Sequence, residues 1–386
     1  MWDCNCRKKR LLNVYPKLLN HNIQNWEEDM QIIEKKEEFR QSLLSWYHEE
    51  KRDLPWRRTS NPYYIWVSEV MLQQTRVDTV IPYYERFIEK YPTMDILAEA
   101  EENELLKMWE GLGYYSRVRN LQAGVREVVE DYGGEVPTNR KEISTLKGVG
   151  PYTAGAVLSI AFGVPEHAVD GNVMRVMSRL LLIEEDIAVP RTKRIFEDVV
   201  MDLIDKKDPS SFNQGVMELG ATICTPRPKC LLCPVREYCA AFEEGRQEEL
   251  PVKTKKKKGK VIPMASFAIQ NESGEWLLRQ RPEKGLLANL WEFPMVELTT
   301  EKTAEELFAE QYGEKLTKIN EIISFKHIFT HLTWDIRSFK ARFQELKVIP
   351  EGYRYFTEEE VEALPKPVPV LKVWEVIKKG SFTYDK

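Results

Sequence analysis

The sequence has little of several features that would assign it to a class at once. It has no apolar run of about 18 residues, so no membrane span is predicted. Six cysteines among 386 residues are too few for a disulfide scaffold, so a reducing cytoplasm is expected. A formal net charge of −5 excludes overall basicity as an argument for nucleic-acid binding. Any such surface must therefore come from local clusters of basic residues.

Changes in residue pattern divide the chain into four segments. Residues 1–29 show weak periodicity and predict an N-terminal extension, either a disordered arm or the product of a mis-assigned translation start. Residues 30–245 repeat apolar residues at helical spacing, which predicts an α-helical domain in two lobes whose first and last helices pack together. Residues 246–260 predict a basic linker, as a solvated tether or a segment attracted to phosphates. Residues 261–386 alternate like strands and predict an α+β domain.

The helical segment is organised around the stretch Leu146–Val176. It contains a Gly-x-Gly turn, formed by Gly148 and Gly150, and a proline that opens an apolar helix. Backbone N–H groups at such a helix start suit a phosphate, although a simple helix-turn-helix corner has the same pattern. Asp170 opens the next helix, where it is either an ordinary N-cap or a functional carboxylate.

A carboxylate stands within an apolar helix that is predicted to begin near Asn61. Glu69 lies in the run WVSEVMLQQT and shares a helix face with Ile65 and Trp66. Apolar neighbours disfavour the ionised carboxylate, so its proton affinity should rise, as a general acid requires. The alternative is a surface glutamate at the edge of that face.

Four cysteines near the end of the helical segment form the pattern C-x5-C-x2-C-x5-C. They are Cys224, Cys230, Cys233 and Cys239. Four thiolates at this spacing predict a metal centre, and by their chemistry alone zinc and a [4Fe–4S] cluster fit equally well.

Together, these blocks resemble the endonuclease III superfamily of DNA glycosylases, and the adenine DNA glycosylase (MutY) branch in particular. LKGVGPYTAGA followed by VDGN resembles the superfamily's helix-hairpin-helix and catalytic aspartate, and the resemblance covers roughly residues 35 to 385. It implies an all-α helix-hairpin-helix glycosylase domain with an iron–sulfur loop at 224–239. A Nudix-like α+β domain that recognises the lesion would follow.

The activity implied by the resemblance is that of a monofunctional adenine DNA glycosylase in base excision repair. Its substrate would be duplex DNA with adenine opposite 8-oxoguanine or guanine. Glu69 would protonate the leaving adenine, and Asp170 would stabilise the cationic sugar. Tyr152 stands where bifunctional members carry a Schiff-base lysine, so the strand should stay intact. Asn172 is expected to orient a water or a phosphate.

The resemblance also implies a set of residues that contact DNA. They are Gln74, Thr75, Leu112, Tyr114, Gly148, Gly150, Phe329, Thr330 and His331. Tyr114, with Leu112 as a helper, would be a wedge inserted where the base leaves the duplex, although the same glycine-rich pattern could simply start a helix. Phe329 to His331 resembles the Phe-Ser-His loop that recognises 8-oxoguanine, and the Thr330 hydroxyl can make similar hydrogen bonds. Without the resemblance, this run is an ordinary edge strand.

The sequence departs from the family pattern at two places. The family spacing is C-x6-C-x2-C-x5-C, so the first cysteine loop is one residue short here; the resemblance still favours [4Fe–4S], with zinc less favoured. The run at residues 306–313 lacks the Arg-Glu pair of the Nudix pyrophosphatase box and keeps only Glu310, so nucleotide hydrolysis is not expected.

Three other functions are compatible with parts of the sequence. An endonuclease III-like lyase would form a Schiff base that borohydride traps. A non-catalytic iron–sulfur DNA-binding module would not depend on Glu69 or Asp170, and a Nudix hydrolase would release pyrophosphate. The favoured function implies a cytoplasmic monomer without a membrane partner. In a bacterium, the protein would be associated with the nucleoid.

Overall fold

A computed structural model describes residues 35–254, 259–342 and 352–380. The predicted N-terminal extension and residues 255–258 of the predicted linker lie outside the described residues. In the described part of the chain, no helix combines the length and the hydropathy needed to cross a bilayer.

The chain forms two compact units. We call them the helical unit and the mixed unit. Within the described residues, the helical unit holds 35–74, 93–95 and 123–254, and the mixed unit holds 75–92, 96–122, 259–342 and 352–380.

Residues 35–254 contain helices and 3₁₀ turns and no strand, as the helical periodicity predicted. The helices are α1 (Lys36–Glu50), α2 (Pro62–Leu72), α3 (Val77–Lys90), α4 (Met94–Glu99), α5 (Glu102–Met108), α6 (Ser116–Asp131), α7 (Arg140–Ile143), α8 (Pro151–Phe162), α9 (Gly171–Leu180), α10 (Lys193–Leu203), α11 (Pro209–Thr222) and α12 (Ala240–Glu243). The 3₁₀ turns are Pro55–Arg57, Pro190–Thr192, Cys230–Leu232 and Arg236–Tyr238.

The core of the helical unit joins its first helix to its last long one. Phe39 of α1 packs edge-on against Phe212 of α11, with ring centroids 6.3 Å apart. Leu43 and Val216 extend the same contact, and Val176 of α9 belongs to the same buried cluster. The predicted packing of the first and last helices is therefore confirmed. This core holds α9 and α11 side by side, and both helices contribute residues to the site described below.

The mixed unit contains a seven-stranded sheet. Its strands are β1 (Lys260–Gln270), β2 (Trp276–Gln280), β3 (Trp291–Glu292), β4 (Met295–Glu297), β5 (Thr317–Ile328), β6 (Leu332–Arg342) and β7 (Tyr353–Phe356). Their order is β3-β2-β1-β6-β5, with β4 paired to β1 and β7 paired to β2. β1 and β2 form an antiparallel hairpin, whereas β1 and β6 run parallel.

Helices cover both faces of this sheet. They are α13 (Ala304–Tyr312), α14 (Glu358–Ala363) and α15 (Val368–Lys379). Alternate residues of β1 point to opposite faces: Phe267 packs with Phe308 of α13, and Ala268 with Trp374 of α15. The predicted α+β domain is therefore confirmed, with a sheet between two helical layers.

Candidate active site

Glu69 is buried in the middle of α2. The helix begins at Pro62, after Asn61 caps its first turn, and Glu69 is 5% exposed. Its Oε2 accepts a hydrogen bond of 2.6 Å from the Tyr152 hydroxyl. Burial raises the pKa of Glu69 to about 7; the hydrogen bond from Tyr152 opposes the rise, and the charge of Asp170 adds to it. Glu69 is thus not a surface glutamate, and it holds a proton near neutral pH.

Tyr152 lies in the first turn of α8 and donates to the Glu69 carboxylate. Burial, followed by the charges of Glu69 and Asp170, raises its pKa well above the usual value, so the phenol stays protonated and donates to Glu69. The Sδ of Met217 lies 3.4 Å from the same hydroxyl. Tyr152 therefore fixes the orientation of the Glu69 carboxylate.

Asp170 is the N-cap of α9, so the N-cap interpretation is correct. Its Oδ1 accepts from the Val173 backbone N–H at 2.8 Å, and its Oδ2 accepts from Asn172 Nδ2 at 2.9 Å. Burial nevertheless raises the pKa of Asp170, and these hydrogen bonds oppose the rise. Both oxygens are held in place, which leaves a fixed carboxylate near Tyr152 and Glu69.

A glycine allows the chain before Asp170 to lie against α8. A Cβ atom at Gly155 would stand 1.7 Å from the carbonyl oxygen of His167. Only glycine permits this approach, which brings the segment leading to Asp170 onto the helix that carries Tyr152.

Asn172 and Arg175 connect Asp170 to the cysteine segment. The Oδ1 of Asn172 accepts from Arg175 Nη2 at 2.7 Å. The same guanidinium donates to the backbone carbonyls of Gly220 and Cys224, at 2.9 and 2.8 Å. A continuous hydrogen-bond path therefore runs from the Asp170 carboxylate to the start of the segment 224–239, which we call the Cys loop.

The four cysteines of the Cys loop line one cavity whose other walls are largely apolar. They form no disulfide. Burial raises the pKa of Cys233 to about 12 and that of Cys239 to about 11, so these groups stay thiols unless a metal replaces their protons. Among the described residues, no three His, Cys, Asp or Glu side chains stand close enough to share one metal ion. The donor set of four sulfurs suits either centre predicted from the spacing.

A buried arginine supports the Cys loop. Arg179 of α9 is 2% exposed and donates to the carbonyls of Thr225 and Pro226, at 2.6 and 3.1 Å. Its Nη1 also lies 3.3 Å from the Cys224 sulfur. The guanidinium can donate a hydrogen bond to that sulfur, so the surroundings of Cys224 suit a sulfur that ligates a metal.

The hairpin glycines lie at an exposed helix start. Gly148 adopts φ +79°, and Gly150 is the N-cap of α8 without a side-chain cap. Arg140 secures this turn by donating to the carbonyl of Pro151 at 2.9 Å. The first backbone N–H groups of α8 are thus available at an exposed turn.

In the mixed unit, Tyr114 is presented by a short loop before α6. Tyr114 is 47% exposed and has φ +47°. Arg117 donates to the carbonyls of Leu112 and Gly113 at 3.0 and 3.1 Å, and to the hydroxyl of Thr75 at 3.3 Å. Leu112 is 6% exposed, so it packs beneath the loop and offers little surface to a ligand. Gln74, in the helical unit, lies two residues after the end of α2; it is exposed and has φ +59°.

The turn between β5 and β6 carries Phe329, Thr330 and His331. The Phe329 ring packs against Trp334, with centroids 4.8 Å apart, while Thr330 and His331 are exposed. The Thr330 hydroxyl lies 3.3 Å from that of Tyr114. Tyr114 and Thr330, which the resemblance implies as parts of two different DNA contacts, therefore lie together on one exposed surface.

Several residues of these sites were missed at the sequence level. They are Arg57, Arg175, Arg179, Glu218 and Trp334. Glu218 is 1% exposed and accepts from Arg52 at 2.7 Å and from Arg57 at 2.8 Å. Burial raises its pKa, but these hydrogen bonds outweigh burial and lower the pKa to about 2. Glu218 is a carboxylate among apolar residues of a helix, which is the pattern that identified Glu69. The same pattern therefore predicts that Glu218 is buried.

The helical unit has the fold of a helix-hairpin-helix DNA glycosylase. Residues 67–201 match the model of the HhH-GPD superfamily base excision DNA repair proteins, and residues 265–376 match that of the NUDIX domain. This chain is also similar to a solved structure of a thermostable thymine-DNA glycosylase, with 32% identity and a TM-score of 0.50. The match covers 55% of this chain and 98% of the chain in that structure.

The chain belongs to the adenine DNA glycosylase family. It is 37% identical over 404 residues to the adenine DNA glycosylase of Homo sapiens, across 88% of this chain and 73% of that protein. It is 35% identical to the adenine DNA glycosylase of Buchnera aphidicola subsp. Schizaphis graminum, across 88% of this chain and 99% of that protein.

Proposed function

We propose that this protein hydrolyses the N-glycosidic bond of adenine in duplex DNA when the adenine stands opposite 8-oxoguanine or guanine. The observation that carries the proposal is the pairing of a buried acid, Glu69, with a fixed carboxylate, Asp170. Glu69 has a pKa of about 7, and Asp170 is held by hydrogen bonds to both oxygens. Two carboxyl groups in different environments suit the two tasks of glycosidic cleavage.

The bond between adenine and C1′ breaks with its electron pair moving to the base. Glu69 donates its proton to that base, which makes adenine a neutral leaving group. Positive charge then develops on the sugar, and the ionised Asp170 stabilises it. Water adds to C1′ and loses a proton to solvent. The Glu69 carboxylate finally takes a proton from solvent, which restores the acid.

The reaction should stop at the abasic site. A lyase needs an amine to form a Schiff base with the sugar. At the position where bifunctional relatives carry that lysine, this chain has Tyr152. Its hydroxyl donates a hydrogen bond of 2.6 Å to Glu69. We therefore propose a monofunctional glycosylase.

The four cysteines are proposed to hold a [4Fe–4S] cluster, with zinc as the less favoured occupant. The shared cavity, and the contact of Arg179 with the Cys224 sulfur, support thiolate ligation. Such a cluster would supply structural cross-linking of the Cys loop. Arg227 and Lys229, between the first two cysteines, are exposed and suit DNA phosphates.

Recognition of the base opposite adenine is proposed for the surface formed by Tyr114, Thr330 and His331. Their exposure, and the 3.3 Å distance between the hydroxyls of Tyr114 and Thr330, support this role. An aromatic ring can fill the stack while a hydroxyl and an imidazole offer hydrogen bonds to an oxidised purine. The hairpin at Gly148 and Gly150 would hold a phosphate.

Single-turnover adenine release from three duplexes tests the proposed function. The duplexes carry adenine opposite 8-oxoguanine, guanine or thymine. We expect release in the order 8-oxoguanine above guanine, no reaction opposite thymine, and strand breaks only after alkali. Equal rates on all three duplexes would contradict the proposed specificity. Strand breaks without alkali, together with a borohydride-trapped adduct, would identify a lyase instead.

Replacing Tyr152→Phe should extend adenine release to higher pH. The Tyr152 hydroxyl stabilises the ionised Glu69, so its removal raises the pKa of Glu69 further above about 7. Because the acid must be protonated, the falling limb of the pH profile should move upward by about one to two units. The measurement is the single-turnover rate between pH 6 and pH 9 at saturating enzyme. An unmoved limb would show that Tyr152 does not control the acid.

A further inference from the structure

The main chain of Lys366 is held by two side chains that flank the Tyr114 loop. Its N–H donates to Glu110 Oε1 at 2.8 Å, and its carbonyl accepts from the Tyr115 hydroxyl at 3.1 Å. Tyr115 follows Tyr114 directly, and Glu110 precedes it by four positions. Lys366 lies between α14 and α15. The loop that carries Tyr114 is therefore tied to the segment joining these two helices of the mixed unit.

The local sequence makes this backbone contact rigid. Pro365 and Pro367 flank Lys366, so Lys366 has the one backbone N–H group of these three residues. The carbonyl of Pro365 accepts from the N–H of Trp291 in β3 at 3.0 Å, which ties the same segment to the sheet. The point of attachment has little conformational freedom.

The Lys366 side chain adds to this rigidity. It is fully buried, and its Nζ donates to the carbonyls of Val361 and Leu364 near the end of α14, the second at 2.9 Å. A buried ammonium group must be hydrogen-bonded, and here backbone carbonyls satisfy it. Lys107 also donates to the Leu364 carbonyl at 3.3 Å and to Glu110 at 2.7 Å. We call Glu110, Tyr115 and Lys366 the lysine clamp.

We propose that the lysine clamp positions Tyr114 against Thr330 and so sets the preference for 8-oxoguanine over guanine. The inference rests on the proposed function of this surface. The Tyr114 and Thr330 hydroxyls are 3.3 Å apart and come from segments 216 residues distant in sequence, so their spacing depends on how those segments are fixed together. Hydrogen bonds on both sides of Tyr114 tie its segment to Lys366. The neighbouring Pro365 carbonyl binds β3 of the sheet whose β5–β6 turn carries Thr330, so the clamp fixes the Tyr114 segment to that sheet. Its members are positioning residues, since they act through Tyr114 and Thr330.

A second tie supports the proposal. Arg119 donates to the carbonyl of Ala288 at 2.9 Å, and Asn289 donates to Glu102 at 2.8 Å. These contacts join α5 and α6 to the loop before β3, so loss of one clamp bond should shift the Tyr114 loop without releasing it. A graded loss of discrimination is therefore expected.

The test is the preference for 8-oxoguanine over guanine in the full-length protein carrying Tyr115→Phe. The variant keeps the buried ring and removes the hydroxyl that reaches Lys366. We expect the ratio of single-turnover rates on the two duplexes, at subsaturating enzyme, to fall about fivefold, the effect of one hydrogen bond. At saturating enzyme the rates should be unchanged, because Glu69 and Asp170 are untouched. A lower ratio at subsaturating enzyme, together with unchanged rates at saturating enzyme, distinguishes a displaced Tyr114 from a general loss of folded protein.

A pair of variants at Glu110 provides a check within the clamp. Glu110→Ala removes the acceptor for the Lys366 N–H and should lower the ratio at least fivefold. Glu110→Gln keeps an amide oxygen in the same place and should restore most of it. A matched control is Tyr355→Phe, which removes a half-buried hydroxyl from β7 of the same unit and should leave the ratio unchanged. Thermal unfolding of each variant confirms that it is folded.

Thr330→Ala serves as the benchmark and separates two kinds of failure. If Thr330→Ala lowers the ratio while folded Tyr115→Phe and Glu110→Ala do not, the clamp proposal is wrong and the proposed recognition surface stands. If Thr330→Ala leaves the ratio unchanged, the recognition surface itself is wrong, and the clamp proposal falls with it. A ratio that Glu110→Gln fails to restore would also overturn the positioning role.

Discussion

Glu69→Gln is expected to reduce adenine release by about 10²- to 10⁴-fold at saturating enzyme, the range for loss of a general acid. Glutamine has nearly the same shape and keeps an oxygen that can accept from Tyr152, so the site should remain assembled. It has no acidic proton to give to the leaving base. Duplex affinity should therefore change little while the chemical step slows.

The pH profile of the unmodified protein provides a second test of the same group. Burial raises the pKa of Glu69 to about 7, so the protonated fraction falls as the pH rises through that value. The rate should decline about tenfold per pH unit above it. At lower pH the rate should also fall as Asp170, whose pKa burial raises, gains a proton. A bell-shaped profile is the expected result.

A matched control for Glu69→Gln is Glu130→Gln on α6, where the side chain is exposed. Its rate and pH profile should equal those of the unmodified protein. If Glu69→Gln were to release adenine at an undiminished rate, another group would have to be the acid. The non-catalytic DNA-binding alternative would then regain support.

Asp170→Asn is expected to lower the rate by about 10²- to 10³-fold, the range for loss of one preorganised electrostatic group. Asparagine is as good an N-cap as aspartate, so α9 should stay capped and the melting temperature should change little. A large loss of rate without a loss of stability would separate the electrostatic role of Asp170 from its structural one.

The same variant should also change the pH profile in a defined direction. The charge of Asp170 raises the pKa of Glu69, so a neutral asparagine should lower that pKa. The falling limb should therefore move to lower pH, opposite to the shift expected for Tyr152→Phe. Asp198→Asn, an exposed position on α10, is the control and should show neither effect. A limb that moves upward in Asp170→Asn would contradict electrostatic coupling between the two carboxylates.

The sequence predicted those parts of the molecule that depend on local pattern. The apolar neighbours of Glu69 predicted a raised proton affinity, and the buried helix α2 produces it. The position of Asp170 before an apolar run predicted an N-cap, and the Val173 N–H bond confirms it. Both signals arise within a few residues, where helix periodicity and capping rules apply.

Contacts between distant residues could not be predicted in this way. Arg179 reaches carbonyls 46 and 47 residues away, and its partners are backbone groups that any residue type provides. Lysine is a residue type that is ordinarily exposed, yet the main chain of Lys366 pairs with Glu110 and Tyr115, 256 and 251 residues away. Such pairings depend on tertiary structure, and one sequence does not encode them as a pattern.

The positive φ angles of the Tyr114 loop have a consequence for the thermodynamics of recognition. Gly111, Gly113 and Tyr114 all adopt left-handed backbone conformations, with φ of +99°, +69° and +47°. For tyrosine this conformation is strained, and the carbonyl contacts of Arg117 maintain it. The ring is thus oriented before any duplex arrives. The proposed contact of Tyr114 with the duplex should therefore lose little conformational entropy, because the aromatic surface is preorganised and does not have to become ordered on contact.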